Sequence, residues 1–153
     1  MRVALDTNIL VYAVSGGDDA RNATARALLK VLPPSDVCLP AQVAGEFYNV
    51  VVRKLKRSPD AAIAMLGEWQ EAFDIRPATQ DDFSGAFRLA RDHEFQVWDA
   101  LIVNVAASDG CDLLLSEDMH EGFRYRGLTI VNPFSKPPHR QLKPLFDALP
   151  ESP

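Results

Sequence analysis

Short apolar runs recur along the chain, and each has the length of a buried β-strand. Nearly uniform runs lie at residues 3–5, 37–39, 111–115 and 128–131, and the segment 73–75 predicts a further strand. Nearly uniform apolar strands are typical of a parallel sheet that is covered on both faces. The pattern therefore predicts a sheet of five strands buried in the centre of the fold.

Helical patterns fill the segments between these runs. The apolar segment 9–14 predicts a short helix, and apolar residues spaced three and four positions apart predict helices over residues 20–31, 41–56 and 98–107. Ser58-Pro59 has the cap-then-proline order that begins a helix, here to about residue 71. The segment 79–82 has the form of a capping box for a helix to about residue 92, so Asp81 and Asp82 are interpreted as helix-start charges, with a metal role as the alternative.

Strands that alternate with helices predict an α/β fold, doubly wound around a central parallel sheet. In such folds, sites collect outside the carboxyl ends of the strands. From Pro133 onward the sequence becomes Pro-rich and polar, with a short apolar patch near Leu145. We therefore predict a globular domain over residues 1–134 and a tail over 135–153, which is either mobile or a docked segment that covers a subunit surface.

Composition narrows the class of protein. A chain of 153 residues with 47% hydrophobic content is large enough for one domain with a single core. No apolar run approaches the roughly 18 residues of a membrane span, and the first residues lack the layout of a secretory signal, so we expect a cytoplasmic protein without a membrane partner.

Cys38 and Cys111 lie in apolar runs and are expected to be free thiols. The net charge of −5 argues against a protein that coats double-stranded DNA, but not against a nucleic-acid enzyme.

Four acidic residues stand at junctions between the predicted elements. Asp6 follows the first apolar run, Glu46 lies near a helix start, Asp99 opens the helix at 98–107, and Asp118 follows the run at 111–115. Taken singly, each except Asp6 is better explained as a helix-start or loop acid. Together they lie where sites form in such a sheet, and carboxylates without a Cys and His set suit a hard cation such as Mg²⁺ or Mn²⁺. We therefore expect the four carboxylates to converge as metal ligands and catalytic residues.

Small polar residues accompany two of these acids. Thr7 and Asn8 follow Asp6, and Ser116 precedes Asp118 by two positions. Hydroxyl and amide groups beside a metal site orient the ligands or a bound water. The same residue types also cap helices and turns, and both roles remain open for all three.

The polar motifs taken in order resemble the PIN domain, and in particular the VapC toxins of bacterial toxin–antitoxin pairs. The resemblance rests on the Asp-Thr-Asn start, the lone mid-chain Glu, the Asp-Ala-Leu-Ile helix opening and the Ser-Glu-Asp run, within residues 2–134. It implies a three-layer fold with the strand order 3-2-1-4-5. It further implies a homodimeric, growth-arresting ribonuclease whose four acids bind metal, and a VapB-like antitoxin that inserts a segment into the acidic groove.

A basic run follows Glu46 at the end of the same predicted helix. It consists of Arg53, Lys54, Lys56 and Arg57. Positive charge is favoured at a helix C-terminus by the macrodipole alone, and the functional alternative is contact with an RNA backbone.

Three functions compete for the acidic residues. The leading hypothesis is an endoribonuclease that hydrolyses RNA phosphodiesters with water activated by Mg²⁺ or Mn²⁺. An aspartyl-phosphate phosphatase built on Asp6 would need a second acid two residues later, where the chain has Asn8. The non-enzymatic alternative is a catalytically silent PIN-like module that binds metal and recognises RNA or a partner. The presence of all four acids favours the enzyme.

Overall fold

A computed structural model describes residues 1–149, and its strands lie in one sheet. The last four residues of the predicted tail, 150–153, lie outside the described residues. The strands are β1 Val3–Leu5, β2 Val37–Pro40, β3 Asp74–Arg76, β4 Leu113–Leu115, β5 Arg124–Tyr125 and β6 Leu128–Val131. The helices are α1 Thr7–Val14, α2 Ala20–Val31, α3 Ala41–Arg53, α4 Pro59–Ala72, α5 Gln80–His93, α6 Val97–Ser108 and α7 Lys143–Asp147, and a 3₁₀ turn spans Pro34–Asp36.

The sheet has the order β3-β2-β1-β4-β6-β5. All neighbouring strands are parallel except β5 and β6, which form an antiparallel hairpin. Every residue of β1, β2, β4 and β6 is buried, so the sheet is covered on both faces. The predicted α/β fold is confirmed, and the predicted order 3-2-1-4-5 holds for the five parallel strands.

The short strand β5 is the one departure from the predicted sheet. Its two-residue turn consists of Arg126 and Gly127, which have φ angles of 49° and 88°. Two successive positive φ angles give the turn that suits a tight hairpin. The hairpin was not predicted because arginine is not among the residues that usually signal such a turn.

Helix α5 packs closely on α6 because Gly85 faces Asn104. A Cβ atom at position 85 would lie 2.8 Å from Cγ of Asn104. The Asn104 amide donates to Asp82 at 3.0 Å and accepts from the Tyr125 hydroxyl at 2.9 Å. A buried polar side chain thus ties α5, α6 and the β5 hairpin together.

The two cysteines are free and buried near the amino ends of β2 and β4. Their sulfur atoms and a carboxylate oxygen of Asp109 all lie within 4.8 Å of one another. The Asp109 carboxylate is ion-paired with Arg2. The prediction of free thiols is confirmed.

The segment after Phe134 contacts the body of the protein. Leu142 is fully buried in the core, and Leu145 and Phe146 pack against it. Helix α7 contacts α2. Among residues 1–149, no helix combines the length and the apolar character needed to cross a membrane.

Candidate active site

The site lies where β1 ends and α1 begins. The Asp6 backbone N–H donates to the Leu115 carbonyl of the neighbouring strand β4 at 2.9 Å. The Asp6 side chain caps α1 by accepting a hydrogen bond from the Thr7 N–H at 2.7 Å. Because Asp6 both ends a buried strand and caps a helix, its carboxylate is fixed at the carboxyl edge of the sheet.

The structure brings the four predicted acids together around one cavity of about 540 Å³. Asp6 is buried, Glu46 and Asp99 are half-buried, and Asp118 is exposed. The cavity is lined by Asp6, Thr7, Asn8, Val11, Tyr12, Glu46, Asn49, Val50, Lys54, Asp99, Glu117 and Asp118. The acids therefore share a cleft that is open to solvent and backed by buried strands.

Hydroxyl groups hold two of the carboxylates. The Thr7 hydroxyl donates to Oε2 of Glu46 at 2.7 Å, and the Ser116 hydroxyl donates to Oδ2 of Asp6 at 2.7 Å. Both bonds link residues that are far apart in the sequence. They fix how the carboxylates of α3 and of the β1–α1 junction are oriented relative to each other.

Asn8 connects the buried acid with the exposed one. Its amide nitrogen lies 3.3 Å from Oδ2 of Asp6 and 3.1 Å from Oδ2 of Asp118. One neutral amide thus bridges two carboxylates without neutralising either of them.

The electrostatics of the cavity disfavour a full set of ionised acids. Burial raises the pKa of the Asp6 carboxyl to about 6, against the hydrogen bonds from Ser116 and Thr7, and the charges of Asp99 and Glu46 raise it further. Burial is also the main cause that raises the pKa of Asp99, followed by the charges of Glu46 and Asp118, while His120 acts in the opposite direction. A bound cation would remove this repulsion.

The donor set fits a divalent metal ion. Within residues 1–149, none of the four carboxylates forms an ion pair with a basic side chain. No three of their oxygens meet the 4.8 Å spacing found for Cys38, Asp109 and Cys111 at the opposite edge of the sheet. A divalent ion that binds to one or two carboxylates and keeps several waters, as Mg²⁺ does, needs no closer cluster.

The predicted basic run divides in the structure. Lys54 lines the acidic cavity, whereas Arg53 and Lys56 are exposed outside it. The Arg57 guanidinium donates to the Val14 carbonyl at 2.7 Å, so it joins the end of α3 to the end of α1. Only Lys54 is placed to meet a ligand in the cavity.

Several residues of the cavity wall were not predicted. Tyr12 donates from its hydroxyl to Glu117 at 2.6 Å, and Arg21 pairs with the same carboxylate at 2.9 Å. Asn49 lies one helical turn after Glu46, as Tyr12 lies one turn after Asn8. Extending each motif by three or four residues along its helix would have found both positions.

Comparison with known proteins identifies the fold family. A model of the PIN domain matches residues 3–124, and no curated protein matches the sequence. Among solved structures, VapC20 of Mycobacterium tuberculosis, described as a Sarcin-Ricin loop cleaving toxin, is 22% identical, with a TM-score of 0.65 over 76% of this chain and 89% of that chain.

Two further structures are similar in fold. A toxin–antitoxin complex from Klebsiella pneumoniae is 21% identical, with a TM-score of 0.65 over 86% of this chain and 98% of that chain. VapBC2 from Rickettsia felis, bound to a DNA fragment from its promoter, is 19% identical, with a TM-score of 0.61 over 85% and 97%. Since the family model covers most of the sequence and these neighbours share its architecture, the chain belongs to the PIN domain family.

Proposed function

We propose that this protein is a metal-dependent endoribonuclease and the toxin of a VapBC-like toxin–antitoxin pair. The observation that carries the proposal is the convergence of four carboxylates on one cavity of a PIN fold without a basic partner within residues 1–149. Water attacks a phosphodiester slowly because the phosphorus centre is surrounded by negative oxygens. A site whose acids form no ion pair with a basic side chain is suited to bind the metal that this reaction needs.

The four acids would hold Mg²⁺ or Mn²⁺, directly or through water. When bound, such an ion lowers the pKa of a water and stabilises negative charge on the attacking and leaving oxygens. Thr7 and Ser116 keep the carboxylates of Glu46 and Asp6 in one orientation through their hydrogen bonds. Asn8 does the same for Asp118.

The remaining residues would position the RNA. Lys54 is exposed at the wall of the acidic cavity and supplies a positive charge for a phosphate. Arg53 and Lys56 continue this charge along the surface, whereas Arg57 has a structural contact. Phosphate contacts of this kind position the strand but do not select its sequence.

The fold neighbours support an antitoxin as partner. The Klebsiella structure is a toxin–antitoxin complex, and the Rickettsia structure is a VapBC pair. We infer that a VapB-like antitoxin covers the acidic cavity, that the nuclease domain spans residues 1–134 with a tail at 135–153, and that the protein acts on RNA in the cytoplasm as a homodimer.

The test is a calorimetric titration of the metal-free protein with Mn²⁺, followed by incubation with a structured RNA pool. Wild type should bind Mn²⁺ and cut RNA only when loaded with metal. Asp6→Asn and Asp99→Asn should bind Mn²⁺ more weakly and cut at least about 100-fold more slowly, the upper end of the effect seen for groups that only support a ligand. Asp60→Asn removes an exposed acid in the first turn of α4 and should behave like wild type.

Two outcomes would contradict the proposal. Cleavage that survives in Asp6→Asn would remove the catalytic assignment. Metal binding without any cleavage, in protein shown by mass spectrometry to carry no co-purified antitoxin, would favour the catalytically silent module.

A further inference from the structure

A second cavity adjoins the acidic one across helix α3. It has a volume of about 430 Å³ and shares Glu46 and Asn49 with the acidic cavity. Its remaining wall consists of Ala41, Gln42, Gly45, Ala78, Phe83 and Leu101. Because both cavities meet at Glu46, a molecule in one can reach the other.

One aromatic ring lines this second cavity, and two more lie beside that ring. Phe83 lies in its wall, and the Trp98 ring meets Phe83 edge-on, with ring centroids 6.5 Å apart and an interplanar angle of 84°. The Phe87 ring centroid is 6.3 Å from that of Phe83. Trp98 is 45% exposed and Phe87 is 58% exposed, and Trp98 directly precedes the acid Asp99 on α6. Large exposed rings grouped beside a polar cleft usually mark a binding surface.

Apart from Glu46, which the two cavities share, the polar side chains of the second cavity are neutral amides. Gln42 donates from its nitrogen to Oε1 of Glu46 at 3.1 Å, which leaves its amide oxygen as an acceptor. The Asn49 side chain forms no hydrogen bond within residues 1–149. Within residues 1–149, no lysine or arginine lines the cavity. The cavity therefore offers amide donors and acceptors but no positive charge for a phosphate group.

We propose that this second cavity binds an unpaired nucleobase of the RNA strand that is cut in the acidic cavity. The proposal rests on the proposed nuclease function and names the part of the substrate that the protein recognises. Proteins hold splayed RNA bases by stacking on aromatic rings and by hydrogen bonds to the base edges. Phe83 with Trp98 supplies the rings, and Gln42 with Asn49 supplies the amides. An aliphatic side chain of a protein partner would leave those amides unpaired.

The position of the cavity gives the base a defined place. Glu46 separates the two cavities, so the bound base belongs to a nucleotide next to the phosphate at the acids. Lys54 lies on the acidic side of α3, where the backbone phosphates would run. The protein thus requires a strand whose bases are free to turn outward, which a continuous duplex does not offer.

The experiment measures RNA binding rather than cleavage. A short oligonucleotide is selected for binding from a random single-stranded pool, labelled with fluorescein, and titrated by anisotropy in Ca²⁺. Copies that lack one base each, as abasic riboses, are compared with the intact strand. The proteins are wild type, Phe83→Leu and Trp98→Leu, with Ile63→Ala as a control that changes an exposed apolar residue of α4.

The losses of RNA affinity caused by removing the Phe83 ring and by removing the base should not be additive. Phe83→Leu should weaken binding of the intact strand about 10-fold, within the range measured for base–aromatic stacking. One abasic position should weaken wild-type binding by a similar factor and should leave the affinity of Phe83→Leu nearly unchanged. A purely structural loss at position 83 would instead weaken all strands equally.

Three results would overturn the proposal. The first is additive losses at every abasic position, and the second is no measurable RNA binding by wild type. The third is that Phe83→Leu or Trp98→Leu changes from dimer to monomer on sedimentation, while its losses of RNA affinity remain additive. A second copy of the chain, and not a base, would then cover the rings. The nuclease assignment is judged separately from cleavage by wild type, so the two can fail independently.

Discussion

Single residues at the acidic cavity are oriented by neutral donors and not neutralised by cations. Thr7 and Ser116 each donate one hydroxyl to a carboxylate, and Asn8 donates an amide to two. A lysine in any of these positions would satisfy the acids permanently and would compete with a metal ion. The neutral donors keep the geometry and leave the negative charge available.

Replacement of Thr7 tests this arrangement. Thr7→Val keeps the shape of the side chain but removes the hydroxyl that holds Glu46, so RNA cleavage should fall about 10- to 100-fold and Mn²⁺ should bind more weakly. Thr7→Ser restores the hydroxyl and should recover most of the loss. Single-turnover kinetics and Mn²⁺ titration measure both effects, and a Thr7→Val protein as active as wild type would show that Glu46 needs no such support.

The sequence was sufficient to predict that the four acids converge, but not their contacts. Asp6, Glu46, Asp99 and Asp118 were expected to meet because together they stand at junctions on the carboxyl edge of the sheet. The partner of Thr7 could not be predicted, since its hydroxyl reaches a residue 39 positions away and local patterns carry no such distance. Both kinds of contact considered for these small residues occur. Thr7 bonds across to α3, and the Ser116 hydroxyl donates to Asp6 while it accepts from the Asp118 N–H in the following turn.

Helices α5 and α6 are joined by a capping box that also forms a buried hydrogen-bond network. Asp82 accepts hydrogen bonds from Thr79 at the start of α5 and from Asn104 and Ser108 on α6. Burial alone would raise the pKa of Asp82, but these hydrogen bonds together lower it below its usual value. The ionised carboxylate is therefore the form that stabilises the fold.

This network predicts a stability that depends on pH. Asp82→Asn should lower the free energy of unfolding at pH 7 by about 1–3 kcal/mol, because buried donors lose a charged acceptor. The pKa of Asp82 is lower in the folded state than the value of about 3.9 expected when unfolded. Its contribution should thus be complete above about pH 5 and should disappear as the pH falls through the folded pKa.

Urea unfolding of wild type and Asp82→Asn between pH 7 and pH 3 measures the difference in their free energies of unfolding. Asp81→Asn is the matched control, since Asp81 is exposed in the same turn and should change stability by about 0.5 kcal/mol or less. A constant difference between wild type and Asp82→Asn over the whole range would rule out the ionised carboxylate as its cause.

Elements with strong local signals were predicted well. The capping box at Thr79 and the strand at Leu128–Val131 appear as expected, because each is specified by neighbouring residues. Helix α3 ends at Arg53 rather than near Lys56, which has a positive φ of 55°. The chain then turns back toward α1, where the Arg57 guanidinium donates to the Val14 carbonyl. The spacing of apolar residues along a helix does not predict such a contact.

At the scale of the whole molecule, the segment that carries α7 packs against the rest of the domain. Leu142 is buried in the core, and α7 contacts α2 although the family model ends at residue 124. The apolar patch near Leu145 was visible in the sequence, but the surface it packs on was not. In the structure that surface includes α2 of the same chain.

Removal of the Leu142 side chain should lower the stability of the fold but should not change the rate of RNA cleavage. Leu142→Ala should lower the free energy of unfolding by about 2–5 kcal/mol, as expected for a fully buried leucine. The rate of RNA cleavage by the remaining folded protein should stay unchanged, because the segment lies outside the acidic cavity. Lys143→Ala, an exposed neighbour, is the control. Equal stability of Leu142→Ala and wild type in urea would instead indicate a mobile tail.

The contact between Gly85 and Asn104 also limits how this sequence can evolve. Any side chain at position 85 would collide with the Asn104 amide, so an alanine there becomes acceptable only after residue 104 has become smaller. A smaller residue at 104 would in turn remove one of the hydrogen bonds to Asp82 and the hydrogen bond from the Tyr125 hydroxyl. The four positions are therefore expected to change together in related proteins, and the order of their substitutions is constrained even though none of them lines the acidic cavity.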